Sequence, residues 1–398
     1  MSRAAPPPLA IHGLDWQQAL LEVPASATQE QRDTMVASWA QRCWQDLCTA
    51  LPQQRHAVLA HPGQVQERAR AYMATQETSG WLHSPLHLTP QAPRWHADSS
   101  GVLLQTARQA AEAGLCGADA LVQGTAAVFA ALDGSSPEFT GLRRHFPLLG
   151  ASPRQQAFAP MPAEMLRPGH AWGLYAVMGD AEGVLRCLDM GVRLVQLRLK
   201  NVRPALLDAQ IARCAAAAHQ HGALLFINDH WEAALRHAQQ APGIYGVHLG
   251  QEDALALGES QFDQLQASGL RLGVSSQTLW ELARALRLRP SCIAYGPVHA
   301  TTTKVKELPP VGEHSLRVWA QLVHEGVEQA GLEALPLVAI GGMDVARAQA
   351  AAAAGADSVA VVSSMTRADD PVQAIAALQR AVAAAGDASE RSYCLRRI

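Results

Sequence analysis

Two acids, three cations and a scatter of amides and hydroxyls carry the chemistry that this 398-residue sequence offers. The acids are Asp229, in "ALLFIND", and Asp253, in "GVHLGQED". Each follows a short apolar run, where a strand gives way to a loop. Two carboxylates at neighbouring strand ends suit Mg2+, a hard cation that keeps waters and takes phosphate oxygens as its other ligands. The cations are Arg198 and Lys200, in "LVQLRLKN", and Lys304, in "HATTTK". Arginine makes forked contacts to phosphate, and lysine acts as a point charge. Strand side chains alternate between faces, so "LVQLRLKN" sends Gln196, Arg198 and Lys200 one way and Val195, Leu197 and Leu199 the other. A structural reading stands beside each functional one. Asp229 would cap the helix that "HWEAALRHA" predicts, Asp253 would be a solvated loop acid, and Arg198 and Lys200 would form internal salt bridges.

A second anion site is signalled further on. "AIGGMD" lets backbone approach closely because glycine has no Cβ, and "VVSSM" offers hydroxyl donors. Two anion sites on one cavity would suit two phosphorylated reactants.

The elements that must position these residues are short apolar runs alternating with Ala/Leu-rich helical patterns, the signature of repeated βα units. The runs are 172–178, 194–200, 223–229, 246–250, 271–276, 292–298, 335–342 and 358–364, with the helix after Gly250 the weakest. Eight units in this length predict a closed (β/α)8 TIM barrel over residues 166–398. No GxGxxG follows the first strand, as a doubly wound dinucleotide-binding sheet would want. Polar residues gather at the C-terminal ends of these runs, where such barrels place their chemistry. The strand starts are apolar by comparison, which argues for an enzyme.

Residues 1–165 read differently. Helical stretches such as Gln29–Leu51 and Ser100–Ala113 dominate, and strand alternation is scarce. A smaller, mainly helical accessory domain is expected there. Prolines accumulate over Gly150–His170, which reads as an exposed linker, so a fragment starting near residue 165 is expected to keep the chemistry.

Hydrophobic residues at 48% and charged residues at 17% give ample material for a core. A formal charge of -3 excludes a global pull toward nucleic acid or membrane, so any anion site is local. The opening "MSRAAPPPLAIHGLDW" has no apolar run suited to a signal peptide. Seven scattered cysteines without a CxxC read as reduced thiols, so a cytoplasmic setting is expected. No HExxH-type spacing occurs among the histidines, and zinc is not expected.

From about Trp172 to Gly386 the chain resembles thiamine phosphate synthases, motif by motif and in order: "VQLRLK", "INDH", "GVHLGQED", "GVSSQT", "GPVHATTTK", "VAIGGM" and "GADSVAVVSSM". The resemblance implies a Mg2+-dependent transferase. Hydroxymethylpyrimidine diphosphate would lose pyrophosphate, and the nitrogen of thiazole phosphate would attack the resulting methylene to give thiamine phosphate. It further implies that Gln196, Leu197, Arg198, Leu199, Lys200 and Asn228 contact the pyrimidine diphosphate and that Asp229 and Asp253 hold the metal. Ser275 and Lys304 would complete the diphosphate site, Thr301, Thr302 and Thr303 would contact the thiazole phosphate, and Gly342, Val362 and Ser363 would cradle it. Arg198, Lys200, Ser275 and Lys304 would be catalytic.

Departures from the family pattern are Leu199 for Glu, His230 for Arg, and His299-Ala300 for Phe-Pro. His299 is expected to be a packing substitution. Two alternatives stay open: a thiazole tautomerase-like paralogue, against which Pro297 and the retained charged residues argue, and a non-catalytic sensor of thiamine precursors. An unrelated phosphosugar isomerase on the same fold is opposed by the Asn-Asp and GQED pair. In the first half, "AAEAGLCGADALVQGTAAVFAAL" resembles the C-terminal end of hydroxymethylpyrimidine phosphate kinases, but the GTGC motif is missing. That half is expected to be a remnant that packs or mediates association, so assembly with further copies of the chain is left open.

Overall fold

The computed structural model describes residues 8–388, apart from 22, 25, 62–68, 86–94, 96–97, 133, 135–142, 151–152, 167–169, 302–308, 326–333 and 367. The chain divides into two compact units. One takes residues up to Gln155 together with Thr278–Leu288, and the other begins at Gln156 and holds the barrel strands. The division falls ten residues before the boundary expected from the proline-rich stretch.

In the first unit, Leu9–Asp15 (β1), Arg55–His61 (β2), Arg70–Ala74 (β3), Ser79–His83 (β4) and Leu148–Gly150 (β5) form a five-stranded sheet in that order. β1 runs parallel to β2, and the remaining pairs are antiparallel. Helices hold more residues than strands here, as expected, but they are organised on a sheet that the sequence reading did not anticipate. The reason is burial on both faces. Val58 and Ala60 of β2 pack with Val36, Ala40, Trp16 and Trp81, while the alternate residues Ala57 and Leu59 are equally buried. A strand covered on both sides loses the polar half of its alternation. Thr28 starts the helix Gln29–Ala50 with a reciprocal capping box to Gln31.

In the second unit, eight parallel strands close into a barrel: Leu174–Met178 (β6), Leu194–Leu197 (β7), Leu224–Asn228 (β8), Ile244–Leu249 (β9), Arg271–Ser276 (β10), Cys292–Tyr295 (β11), Leu337–Ile340 (β12) and Ser358–Val361 (β13). β13 pairs back onto β6 and closes the ring. Each strand overlaps one of the eight expected runs. The weakest expected helix, after Gly250, resolves into two short ones, Gln251–Ala256 and Glu259–Ala267.

The barrel interior is solid. Tyr175, Val177, Leu194, Phe226, Cys292, Ala294, Val338 and Ala360 fill it as one apolar cluster. Glycine makes room for the ring of Phe226: a Cβ at Gly246 would sit 2.6 Å from Phe226 and 2.5 Å from the carbonyl of Arg271. At the N-terminal ends of the strands, Met161 and Met165 join the same cluster. They come from the proline-rich stretch, so its latter part is a floor under the barrel rather than an exposed linker. Arg271 Nε and Ser291 Oγ donate to the carbonyls of Pro160 and Ala159, which pins the floor to the strand starts. Among the described residues no helix is long and apolar enough to cross a membrane.

Candidate active site

Strand parity decides which side chains reach the mouth of the barrel. Gln196, near the end of β7, points inward and donates from Nε2 to the hydroxyl of buried Tyr175, 2.9 Å away. Leu197 takes the opposite face and is buried, as is Leu199. β7 ends there, earlier than the alternation alone suggested. The chain leaves it with Arg198, whose backbone N–H still reaches the carbonyl of Met178 at 2.8 Å.

Asn228 ends β8, and Asp229 follows it in the left-handed region at φ 63°. That conformation is uncommon outside glycine, although short polar side chains such as Asp tolerate it. The turn is held by the Asp229 N–H, which donates to the carbonyl of His248 at 2.9 Å. Asp229 is not the cap of the next helix. His230 takes that position, without a side-chain capping bond. The Asp229 carboxylate instead meets the ammonium of Lys200. Burial pushes Asp229 up, but hydrogen bonding and charge from Lys200 outweigh it and hold the carboxyl below its ordinary value. Asp253, in the first turn of Gln251–Ala256, makes a hydrogen bond with Asp229. Burial, then the charge of Asp229 beside it, raises Asp253 above the usual carboxylate range. So the two acids expected to share a metal do lie side by side.

Ser275 comes from β10, with its Oγ 2.8 Å from Nε2 of His248. Its carbonyl accepts from Nε2 of Gln251 at 2.8 Å. His248 lies wholly inside the barrel. Burial, helped by Arg198 and opposed by Asp229, pushes it down to about 4, so the ring is neutral at pH 7.

The loops after β11 and β12 lie directly against each other. Val298 N–H donates to Ile340 O at 2.8 Å and His299 N–H to Gly341 O at 3.2 Å. Gly341 and Gly342 have φ of 106° and 65°. A Cβ at Gly342 would come within 2.4 Å of the Ala300 carbonyl, so only glycine fits that approach. His299 packs on Gly342, and its ring lies 3.8 Å from Glu313. Thr301 and Val362 are half-buried, and Ser363 opens the short helix Ser363–Thr366. Thr302, Thr303 and Lys304, and the side chain of Ser363, lie outside the described residues.

Sequence reasoning missed Tyr175, His248 and Gln251. The signal for His248 was available, because counting by twos from Gly246 puts it on the inward face beside Ser275.

Residues 174–365 match the family described as thiamine monophosphate synthase. A thiamine-phosphate synthase of Neisseria meningitidis is 42% identical over 205 residues, 52% of this chain and 92% of that protein. The chain belongs to the thiamine monophosphate synthase family. A thiamine-phosphate synthase of Escherichia coli O157:H7 is 41% identical over 216 residues, 54% of this chain and 91% of its own length. A solved thiamine phosphate pyrophosphorylase from Pyrococcus furiosus aligns with 56% of this chain and 98% of its own, at 24% identity and a TM-score of 0.44. By its family and its thiamine-phosphate synthase relatives, the chain is a transferase. The matched segment runs from the first residue of β6 past the end of β13 and contains all the candidate residues. Residues before 174 fall outside it.

Proposed function

We propose that the mouth of the barrel joins hydroxymethylpyrimidine diphosphate to thiazole phosphate, releasing pyrophosphate, with Mg2+ held by Asp229 and Asp253. The observation that carries the site assignment is the side-by-side pair of carboxylates, with a lysine already on one of them, at the C-terminal rim. Both are hard oxygen donors, and the charge of one raises the other, so a divalent cation relieves a repulsion built into the pair. When bound, Mg2+ would neutralise charge on the diphosphate.

The chain's own residues do the rest. The thiazole nitrogen is nucleophilic as it stands, so the reaction needs a stabilised leaving group rather than a strong base. Among the described residues the guanidinium of Arg198 makes no hydrogen bond, which leaves its donors available to phosphate oxygens. Lys200 adds charge from the Asp229 side, and Lys304 would add it from the loop after β11. Ser275 offers a hydroxyl to the same anion. Fixed donors aimed at developing negative charge are usually the largest electrostatic contribution to catalysis. Gln196 and Asn228 would orient the pyrimidine. Thr301, Thr302, Thr303, Gly342, Val362 and Ser363 would take the thiazole phosphate, with backbone N–H groups exposed by the glycine pair. Six free thiols in the described chain suit a reducing, cytoplasmic setting.

The test is a coupling assay with both purified substrates, following thiamine phosphate and pyrophosphate together. Equal amounts of the two products are expected, with Mg2+ required. Binding of both substrates without turnover would overturn the reading.

A further inference from the structure

His248 has no part in the functions assigned so far, yet its ring touches one of their residues. Its Nε2 lies 2.8 Å from Ser275 Oγ. Its other nitrogen, Nδ1, is buried and has no hydrogen-bond partner. Nδ1 faces Gly273, where a Cβ would sit only 2.5 Å away. Glycine at 273 therefore admits the ring and supplies no side chain to pair with it.

This asymmetry fixes the proton. A buried N–H without a partner loses a full hydrogen bond, and a charged ring would leave one at Nδ1. The arrangement that satisfies the donor puts hydrogen on Nε2, which then donates to Ser275 Oγ. A tautomer is inferred in this way from the hydrogen-bond network. Ser275 cannot return its own hydrogen along the same line, so its O–H must point elsewhere. Ser275 is the next-to-last residue of β10, at the C-terminal end of the strand, and is half-buried. Gln251 completes the restraint by donating to the Ser275 carbonyl at 2.8 Å and to Ser276 Oγ at 3.3 Å.

We propose that His248 is a positioning residue for the transfer reaction: its Nε2–H occupies the acceptor side of Ser275 and turns the serine hydroxyl into a donor aimed at the diphosphate. This rests on the reading of Ser275 as a diphosphate contact. Gln251, from the same "HLGQED" segment, fixes the serine backbone.

The experiment is a double-mutant cycle with steady-state kinetics on the full chain, normalised to folded protein by circular dichroism. His248→Phe keeps a ring but removes the donor, and His248→Gln restores an N–H at similar reach. His248→Phe is expected to raise KM for the pyrimidine diphosphate and to lower kcat/KM about tenfold, with KM for thiazole phosphate unchanged. His248→Gln recovers most of that loss. In a Ser275→Ala background, His248→Phe costs less than about twofold more, because the hydroxyl it orients is gone. An undiminished loss in that background would overturn the proposal while leaving the role of Ser275 intact. So would His248→Gln performing no better than His248→Phe. Wild-type kinetics for Ser275→Ala alone would remove the diphosphate reading of Ser275, and the proposal with it. Should His248→Phe fail to fold, His248→Asn against His248→Gln decides in the same way, since the shorter amide cannot reach Ser275.

Discussion

Asp357 and Asp229 stand at opposite ends of the barrel strands, and their surroundings differ in kind. Asp357 lies just before β13 and is almost wholly buried. Its Oδ2 accepts from the Leu337 N–H at 2.7 Å and lies 2.5 Å from Nε2 of His324. Its own carbonyl accepts from Nε2 of His170 at 2.8 Å, while Nδ1 of that ring accepts from the Trp172 N–H. Asp229 lies just after β8 in a left-handed turn, beside an exposed lysine and a second acid whose charge it opposes. Polar groups at the floor satisfy one another. At the mouth Asp229 is paired with Lys200 yet set against Asp253, and the guanidinium of Arg198 has no partner among the described residues. Mutual satisfaction is what stability requires, and poised, incompletely satisfied charge is what a bound diphosphate and cation require.

The sharpest way to break this contrast is at the mouth. Asp229→Ala is expected to lower coupling about a thousandfold, roughly 4 kcal/mol of transition-state stabilisation, with the circular dichroism spectrum unchanged. Stripping the wild type with EDTA is expected to abolish turnover, and adding Mg2+ to restore it. Full activity after EDTA would end the metal assignment.

At the floor the effects should be reversed. Asp357→Ala removes the buried acceptor of the Leu337 N–H and the carboxylate beside His324, and about 3 kcal/mol of stability should be lost in urea unfolding. Turnover per folded molecule is expected to stay within about twofold of wild type, because no group at the mouth changes. A large loss of kcat in the folded variant would mean that the two ends are coupled. Met165→Ala should be milder but of the same kind, costing about 2 kcal/mol through the cavity left under the interior cluster. A fragment that begins after Met165 would lose the same plug, so truncation should be placed at Gln156 rather than near residue 165.

The smallest effect separates stability from function at one residue. Asp253 is raised above its unfolded value, so without metal the folded state holds a proton that the unfolded state releases at lower pH. Stability contributed by that carboxyl is present below its unfolded value and is lost as pH rises through the raised folded one. Asp253→Asn should therefore be slightly more stable than metal-free wild type at pH 7, by under about 1 kcal/mol because solvent screens the site. Its coupling activity should nonetheless be low. A melting curve at pH 7 and another near pH 3, below the unfolded carboxyl value, where the difference should vanish, would check this.

These two ends were not equally legible in the sequence. The mouth could be read because period-two alternation in "LVQLRLKN" separates amide and cations from leucines, and the structure keeps that phase through Gln196. Asp229 and Asp253 were legible as strand-end acids, although the left-handed turn at Asp229 has no signature that distinguishes it from a helix cap. The floor was hidden because Met161 and Met165 sit in a proline-rich stretch with no periodicity, where burial depends on contacts distant in sequence. The sheet of the first unit was hidden for another reason. "RHAVLAH" and "RAYMA" are short and covered on both faces, so neither shows alternation. His248 lay within a quoted motif and was passed over because its significance depends on facing Ser275 across two strands.

The methionine floor has a kinetic consequence. With Met161 and Met165 packed against an interior filled by Tyr175 and Phe226, no reactant can thread the barrel, and each must reach the strand ends from the mouth. Both reactants enter, and both products leave, through a single doorway. Whichever ligand sits deeper must go in before its partner and come out after it. The reaction should then show an obligatory order of addition, and the product that occupies the outer position should be the first to depart.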